Sequence, residues 1–135
     1  MDAAVAKVVQ DMHVYEPAKG HGLKHDPLTA IIAPRPIGWI GSVGAKGNVN
    51  LAPYSFFNIF NYKPPILAFS SNGWKDTVRN IEETREFTWN LATMPLAQQM
   101  NTSSASMPPD VSEFETAGLT PVPSRFVKVP GVGEA

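Results

Sequence analysis

Apolar residues along this chain recur mainly at strand spacing. Ile37, Trp39, Ile40 and Val43 alternate loosely with glycine and serine and predict a strand over 37–43. Gly44-Ala-Lys-Gly-Asn48 then predicts a hairpin turn, because glycine enters positive φ at little steric cost. The return strand is expected over 49–58, with a break or bulge at Pro53, which cannot donate to a ladder. Pro64 and Pro65 force an extended entry into Ile66–Ser70, a continuous apolar run expected to be covered on both faces. Phe87–Ala92 alternates again and predicts a further strand.

Helical spacing is confined to short stretches. Ala4, Val5, Val8, Val9 and Met12 form a weak stripe over 4–12. Residues 76–84 predict a helix, with Asp76 as N-cap, Val78 and Ile81 as its apolar side, and Lys75 and Arg79 on one face. Pro95 starts a helix that runs to Met100, and 110–117 give a short helix closed by Gly118. Residues 15–27 and 102–109 read as loops, 28–33 as a short apolar run stopped by Pro34 and Pro36, and 119–135 as extended and proline-punctuated. The sum is mostly β with short helices, a barrel-like domain carrying its helices outside. So few strands are hard to close into a barrel, and Val127–Ala135 reads as the entry to another. The expectation is a truncated product or a fold completed by a second subunit.

Composition narrows the function classes. At 135 residues the chain is one domain by length, with an N-terminal arm, or helix plus loop, over 1–27 before the domain over 28–135. A hydrophobic content of 43% supports a core. The net charge of −1, with scattered Lys and Arg, gives no footprint for nucleic acid. The lack of cysteine excludes disulfides, thiolate zinc sites and cysteine nucleophiles. No apolar run approaches the roughly 18 residues of a membrane span, and the N-terminus does not resemble a signal peptide, so no membrane and a cytoplasmic setting are expected. Thirteen prolines argue against a helix bundle. His13, His21 and His25 lack metal-ligand spacing, so no metal is expected. Glu82-Glu83 reads as a solvated helix face. No nucleophile–base pair stands out, so no catalytic side chain is assigned.

Two segments carry candidate chemistry. Gly38, Gly41, Gly44 and Gly47 fit neither phosphate-loop pattern and read as hairpin glycines. Ser70-Ser-Asn-Gly-Trp-Lys-Asp-Thr77 places hydroxyls, an amide, a glycine and a lysine just before a helix start, where free N–H groups and the helix dipole favour an anion. Asp76 competes for the same donors, so a phosphate site and an ordinary capped helix both remain open. Asn50-Leu-Ala-Pro-Tyr-Ser-Phe-Phe57 combines small residues that admit a flat ring with aromatics that either stack on it or pack in the core.

In order along the chain, PRPIGWIGSV, NLAPYSFFN, PPILAFSS, KDTVRNI and SEFETAGL resemble the flavin reductase-like family over roughly 28–135. That resemblance implies an FMN-binding split β-barrel, generally homodimeric, with FMN near the subunit interface. Asn50, Leu51, Ala52, Pro53, Tyr54, Ser55 and Phe56 would line the isoalloxazine ring, with backbone N–H groups there bonding its acceptors. Ser70, Ser71, Lys75, Asp76 and Thr77 would hold the ribityl phosphate, and Arg35 would reach the phosphate or a pyridine nucleotide. The implied chemistry is hydride transfer from NAD(P)H to flavin, with a monooxygenase as a possible partner. The alternatives are a flavoredoxin-type electron carrier without NAD(P)H activity, and a truncated domain that only dimerises. Members of that family continue beyond the position of Ala135, so the barrel is expected to lack its C-terminal strands.

Overall fold

A computed structural model describes residues 12–108 and 110–135. The chain divides into two compact units, Met1–Pro34 and Arg35–Ala135. The stripe expected over 4–12 lies, except for Met12, outside the described residues.

In the first unit, a 3-10 turn at Pro17–Lys19 precedes a one-turn helix, α1 (Pro27–Ile31). The sequence reading missed this helix. Its signal is Asp26-Pro27: the Asp26 carboxylate accepts from the N–H groups of Leu28 and Thr29, and proline suits the first helical turn. His13 donates to the His21 carbonyl, and the His21 ring accepts from the Leu23 N–H.

The second unit is built on three antiparallel sheets. β1 (Gly38–Val43) is the centre of a three-stranded sheet, between β2 (Val49–Tyr54) and β5 (Thr88–Asn90). Among the described residues, β3 (Phe57–Asn61) pairs only with β4 (Ile66–Phe69), and β6 (Pro121–Val122) pairs with β7 (Gly131–Val132). These sheets do not close into a barrel among the described residues. Helices α2 (Asp76–Thr84), α3 (Ala97–Thr102) and α4 (Glu113–Thr116) are short, as expected.

The β1–β2 hairpin turns where the glycines predict, with the Gly44 N–H bonded to the Asn48 carbonyl. β2 does not break at Pro53. Its register continues through Trp39↔Pro53 to Gly38↔Tyr54. The physical reason is position: β2 is an edge strand, so a residue without N–H costs no ladder bond when it points outward. The break falls at Ser55-Phe56, where the chain leaves β2 for β3.

The core forms around Trp39, Leu51, Leu96, Phe114, Leu119 and Val132. The Trp39 indole N–H is satisfied by the Ser103 hydroxyl at 2.9 Å. Asn90 ties two elements together, donating to the Trp39 carbonyl and accepting from the Val132 N–H. Gly41 is required by space: a Cβ there would sit 2.4 Å from the Thr88 hydroxyl and 3.1 Å from the Pro130 carbonyl.

Two expectations about packing are corrected. β4 is not covered on both faces; Ile66 is exposed and the rest of the strand half-buried, because among the described residues its only ladder partner is β3. The buried face of α2 is Thr77 and Asn80 rather than Val78 and Ile81. Asn50 donates to the Thr77 hydroxyl and Asn80 to the Ser42 hydroxyl, so a polar seam joins α2 to the sheet. Buried amides and hydroxyls are tolerated there because they bond one another.

Candidate functional site

The free edge of β2, the joint into β3 and the start of α2 enclose two adjoining clefts. One, of about 210 Å³, is lined by Asn50, Ala52, Pro53, Tyr54, Lys75 and Asp76 on one side, with Ser103–Met107 and Glu113 on the other. The second, of about 160 Å³, is lined by Pro53, Tyr54, Ser55, Phe56, Ser70, Asn72 and Lys75. Pro53, Tyr54 and Lys75 border both.

The sequence-expected residues divide into those on this wall and those behind it. Asn50, Ala52, Pro53, Tyr54, Ser55, Phe56, Ser70, Lys75 and Asp76 come together there. Leu51 does not: its side chain is fully buried in the core. Thr77 is 1% exposed and its hydroxyl accepts from Asn50, so it braces the wall from behind. Ser71 donates to the Gly73 carbonyl, shaping the turn before α2. Arg35 lies over the Phe56 ring, 5.5 Å from its centroid.

The start of α2 differs from the expectation in one useful respect. Lys75, not Asp76, is the N-cap residue, and it makes no side-chain cap hydrogen bond. Asp76 turns instead to Arg79, one turn along, in an ion pair. Among the described residues, the first N–H groups of α2 thus have no side-chain cap, and an exposed lysine stands beside them.

The alternation of β2 decides which backbone donors face the cleft. The Leu51 N–H leaves the β1 ladder and donates to the Glu113 carboxylate at 3.1 Å. Pro53, in the same outward phase, has no N–H. β2 itself therefore offers no free outward amide at 51 or 53. The nearest amides outside the β1–β2 ladder belong to Ser55 and Phe56. The Tyr54 hydroxyl is buried and has no hydrogen-bond partner among the described residues.

Sequence reasoning reached Asn72 only as the amide of the 70–77 segment, and missed the Ser103–Met107 loop and Glu113. The run Ser103-Ser-Ala-Ser106 is rich in hydroxyl donors, a signal legible in the sequence, but only the fold returns it to β2. Glu113 is 6% exposed, and burial pushes its carboxyl above the ordinary value of 4.5. Amide donors, its own and that of Leu51, oppose the shift, and the nearby Asp76 charge adds to it.

A family model described as the flavin reductase like domain matches residues 32–135. An uncharacterized protein of Aquifex aeolicus is 44% identical over 113 residues, covering 80% of this chain and 58% of that protein. Among solved structures, nitrilotriacetate monooxygenase component B from Bacillus cereus aligns with a TM-score of 0.76 at 34% identity, covering 92% of this chain and 64% of that one. The flavoredoxin of Desulfovibrio vulgaris (Miyazaki F) aligns with a TM-score of 0.73 at 26% identity, covering 84% and 60%. The chain spans about half the length of the curated relatives it matches. With the ordered motifs and a domain match over residues 32–135 in agreement, this chain belongs to the flavin reductase-like family.

Proposed function

We propose that this chain binds FMN in the cleft beside β2, within a split-barrel flavin reductase that oxidises NAD(P)H. The observation that carries the reading is the juxtaposition of a helix start lacking a side-chain cap with a wall of small and aromatic residues. Ser70, Asn72 and Lys75 would hold the phosphate, where free N–H groups and the positive end of α2 favour an anion. Ala52, Pro53, Tyr54, Ser55 and Phe56 would face the ring. The unpartnered Tyr54 hydroxyl suits a polar ligand, since a buried hydroxyl without a partner carries a desolvation cost. The amides of Ser55 and Phe56, rather than those of Leu51 and Pro53, are the donors for the ring's acceptors.

Bound FMN supplies a ring that accepts a hydride from a reduced nicotinamide. The residues of this chain position it, and none is assigned as an acid or base. The exposed Ile59, Phe60 and Ile66 on β3 and β4, with Tyr62 in the turn between them, support assembly as a homodimer. Likeness to a monooxygenase component supports a role in supplying reduced flavin to an oxygenase. Likeness to flavoredoxin favours a second reading, an FMN electron carrier that does not use NAD(P)H.

Reconstitution with FMN, followed by a visible flavin spectrum and an NADH and NADPH oxidation assay, separates these readings. A flavin-loaded protein that oxidises either nucleotide is expected. Flavin loading without oxidation favours the carrier, and failure to bind FMN at saturation overturns both.

A further inference from the structure

The cleft holds one buried ionisable group for which hydride transfer has no use. Glu113 opens α4, and its carboxylate reaches across to the free edge of β2, where it accepts the Leu51 N–H. That bond fixes the strand whose next residues, Ala52 to Tyr54, form the cleft wall. Asp76 and Lys75 border the same cleft from the start of α2.

We propose that Glu113 is a positioning residue that makes FMN binding proton-linked: it clamps β2 at Leu51 and takes up a proton when the phosphate of FMN settles at Lys75, which borders both the phosphate cleft and the cleft that Glu113 lines. The proposal rests on the FMN reading above. Its physical basis is the charge census around the carboxylate. β2 carries no charged side chain, and Tyr54 contributes only a phenol. The Ser103–Met107 loop carries no ionisable group. From α2, Asp76 repels a second negative charge, Arg79 is paired to Asp76, and Lys75 borders the same cleft. On α4 itself, Glu115 is exposed to solvent. A carboxylate already disfavoured by burial and by Asp76 is driven further toward its neutral form by an arriving anion. Neutral Glu113 keeps an acceptor oxygen for the Leu51 N–H, so the clamp survives protonation.

Calorimetric titration with FMN, in buffers of differing ionisation enthalpy, measures the protons taken up per ligand. FMN's own phosphate titrates at about pH 6, so the reading is the difference between the wild-type chain and Glu113→Gln, which retains an acceptor for Leu51. The wild-type protein should take up more protons than E113Q, by at most about one per FMN, while the variant still binds FMN. Asp76→Asn should move the uptake to lower pH. The Glu113 carboxyl carbon resonance, followed against pH with and without FMN in the wild-type protein, gives the same answer even if E113Q fails to fold. Its midpoint should rise on FMN addition. Equal uptake in wild type and E113Q, or an unmoved midpoint with FMN bound, overturns the proposal and leaves the FMN reading standing. Absence of FMN binding overturns the FMN reading and the proposal with it.

Discussion

The sheet β2-β1-β5 and the hairpin β3–β4 draw on similarly apolar sequence and reach opposite environments. β1 is buried from Gly38 to Ser42, and its polar groups are answered: Ser42 by Asn80, the Trp39 indole by Ser103, the Trp39 carbonyl by Asn90. In the hairpin, Ile59, Phe60, Tyr62 and Ile66 are exposed, and among the described residues each strand has only the other as a partner. A two-stranded hairpin is marginal alone in water, whereas a sheet backed by a helix is not. The candidate cleft lies where one region passes into the other, at Tyr54, Ser55 and Phe56. One side of the site is thus rigidly supported, and the other is made from residues still open to contact.

Substitutions on the two sides should therefore differ sharply. Trp39→Ala should cost about 3–5 kcal/mol, by loss of the largest core side chain and of the partner of Ser103, read as a fall in the urea midpoint. Gly41→Val should cost about 1–3 kcal/mol, because its side chain collides with Thr88 and Pro130. Near-normal stability of either variant would break the distinction between the two regions.

Smaller effects sharpen it. The raised Glu113 carboxyl means that the folded chain holds more protons than the unfolded chain between the ordinary and the raised value. This contribution is complete below the ordinary carboxylate range and is lost as pH rises through the raised value. Glu113→Gln should flatten that part of the pH–stability curve, as followed by thermal melts across acid to neutral pH. Phe60→Ser should change the stability of the isolated chain by no more than about 0.5 kcal/mol, yet shift its elution toward the monomer if the hairpin face joins two copies. An unchanged elution of an associating protein would remove β3 from that interface.

Much of the sheet frame was legible in the sequence because its signals are local. The Gly44–Asn48 turn, the alternation from Ile37 to Val43 and the diproline entry to β4 depend on neighbouring residues alone. Pro53 misled because a proline's cost depends on which side of the strand faces a partner, and edge position is a property of the whole sheet. The face of α2 misled for a related reason: Thr77 and Asn80 are buried only because Asn50 and Ser42, far away in sequence, offer matching polar groups. Glu82 and Glu83 lie exposed, as the solvated-face reading expects, and Glu83 also accepts the Ala45 N–H of the hairpin turn. At the site, the strand wall and the lysine were readable from their motifs, whereas Glu113 and the Ser103–Met107 loop reach it through tertiary contacts.

The central claim is that the cleft recognises a flavin through its phosphate at the start of α2. Its most direct test is a fluorescence-quenching titration of the purified chain with FMN and, in parallel, with riboflavin, which lacks the phosphate. Saturable FMN binding is expected, with riboflavin weaker by at least about tenfold and Lys75→Ala closing much of that gap, as loss of one charge-assisted contact implies. Equal affinity for the two flavins, or an FMN affinity indifferent to Lys75, would contradict it.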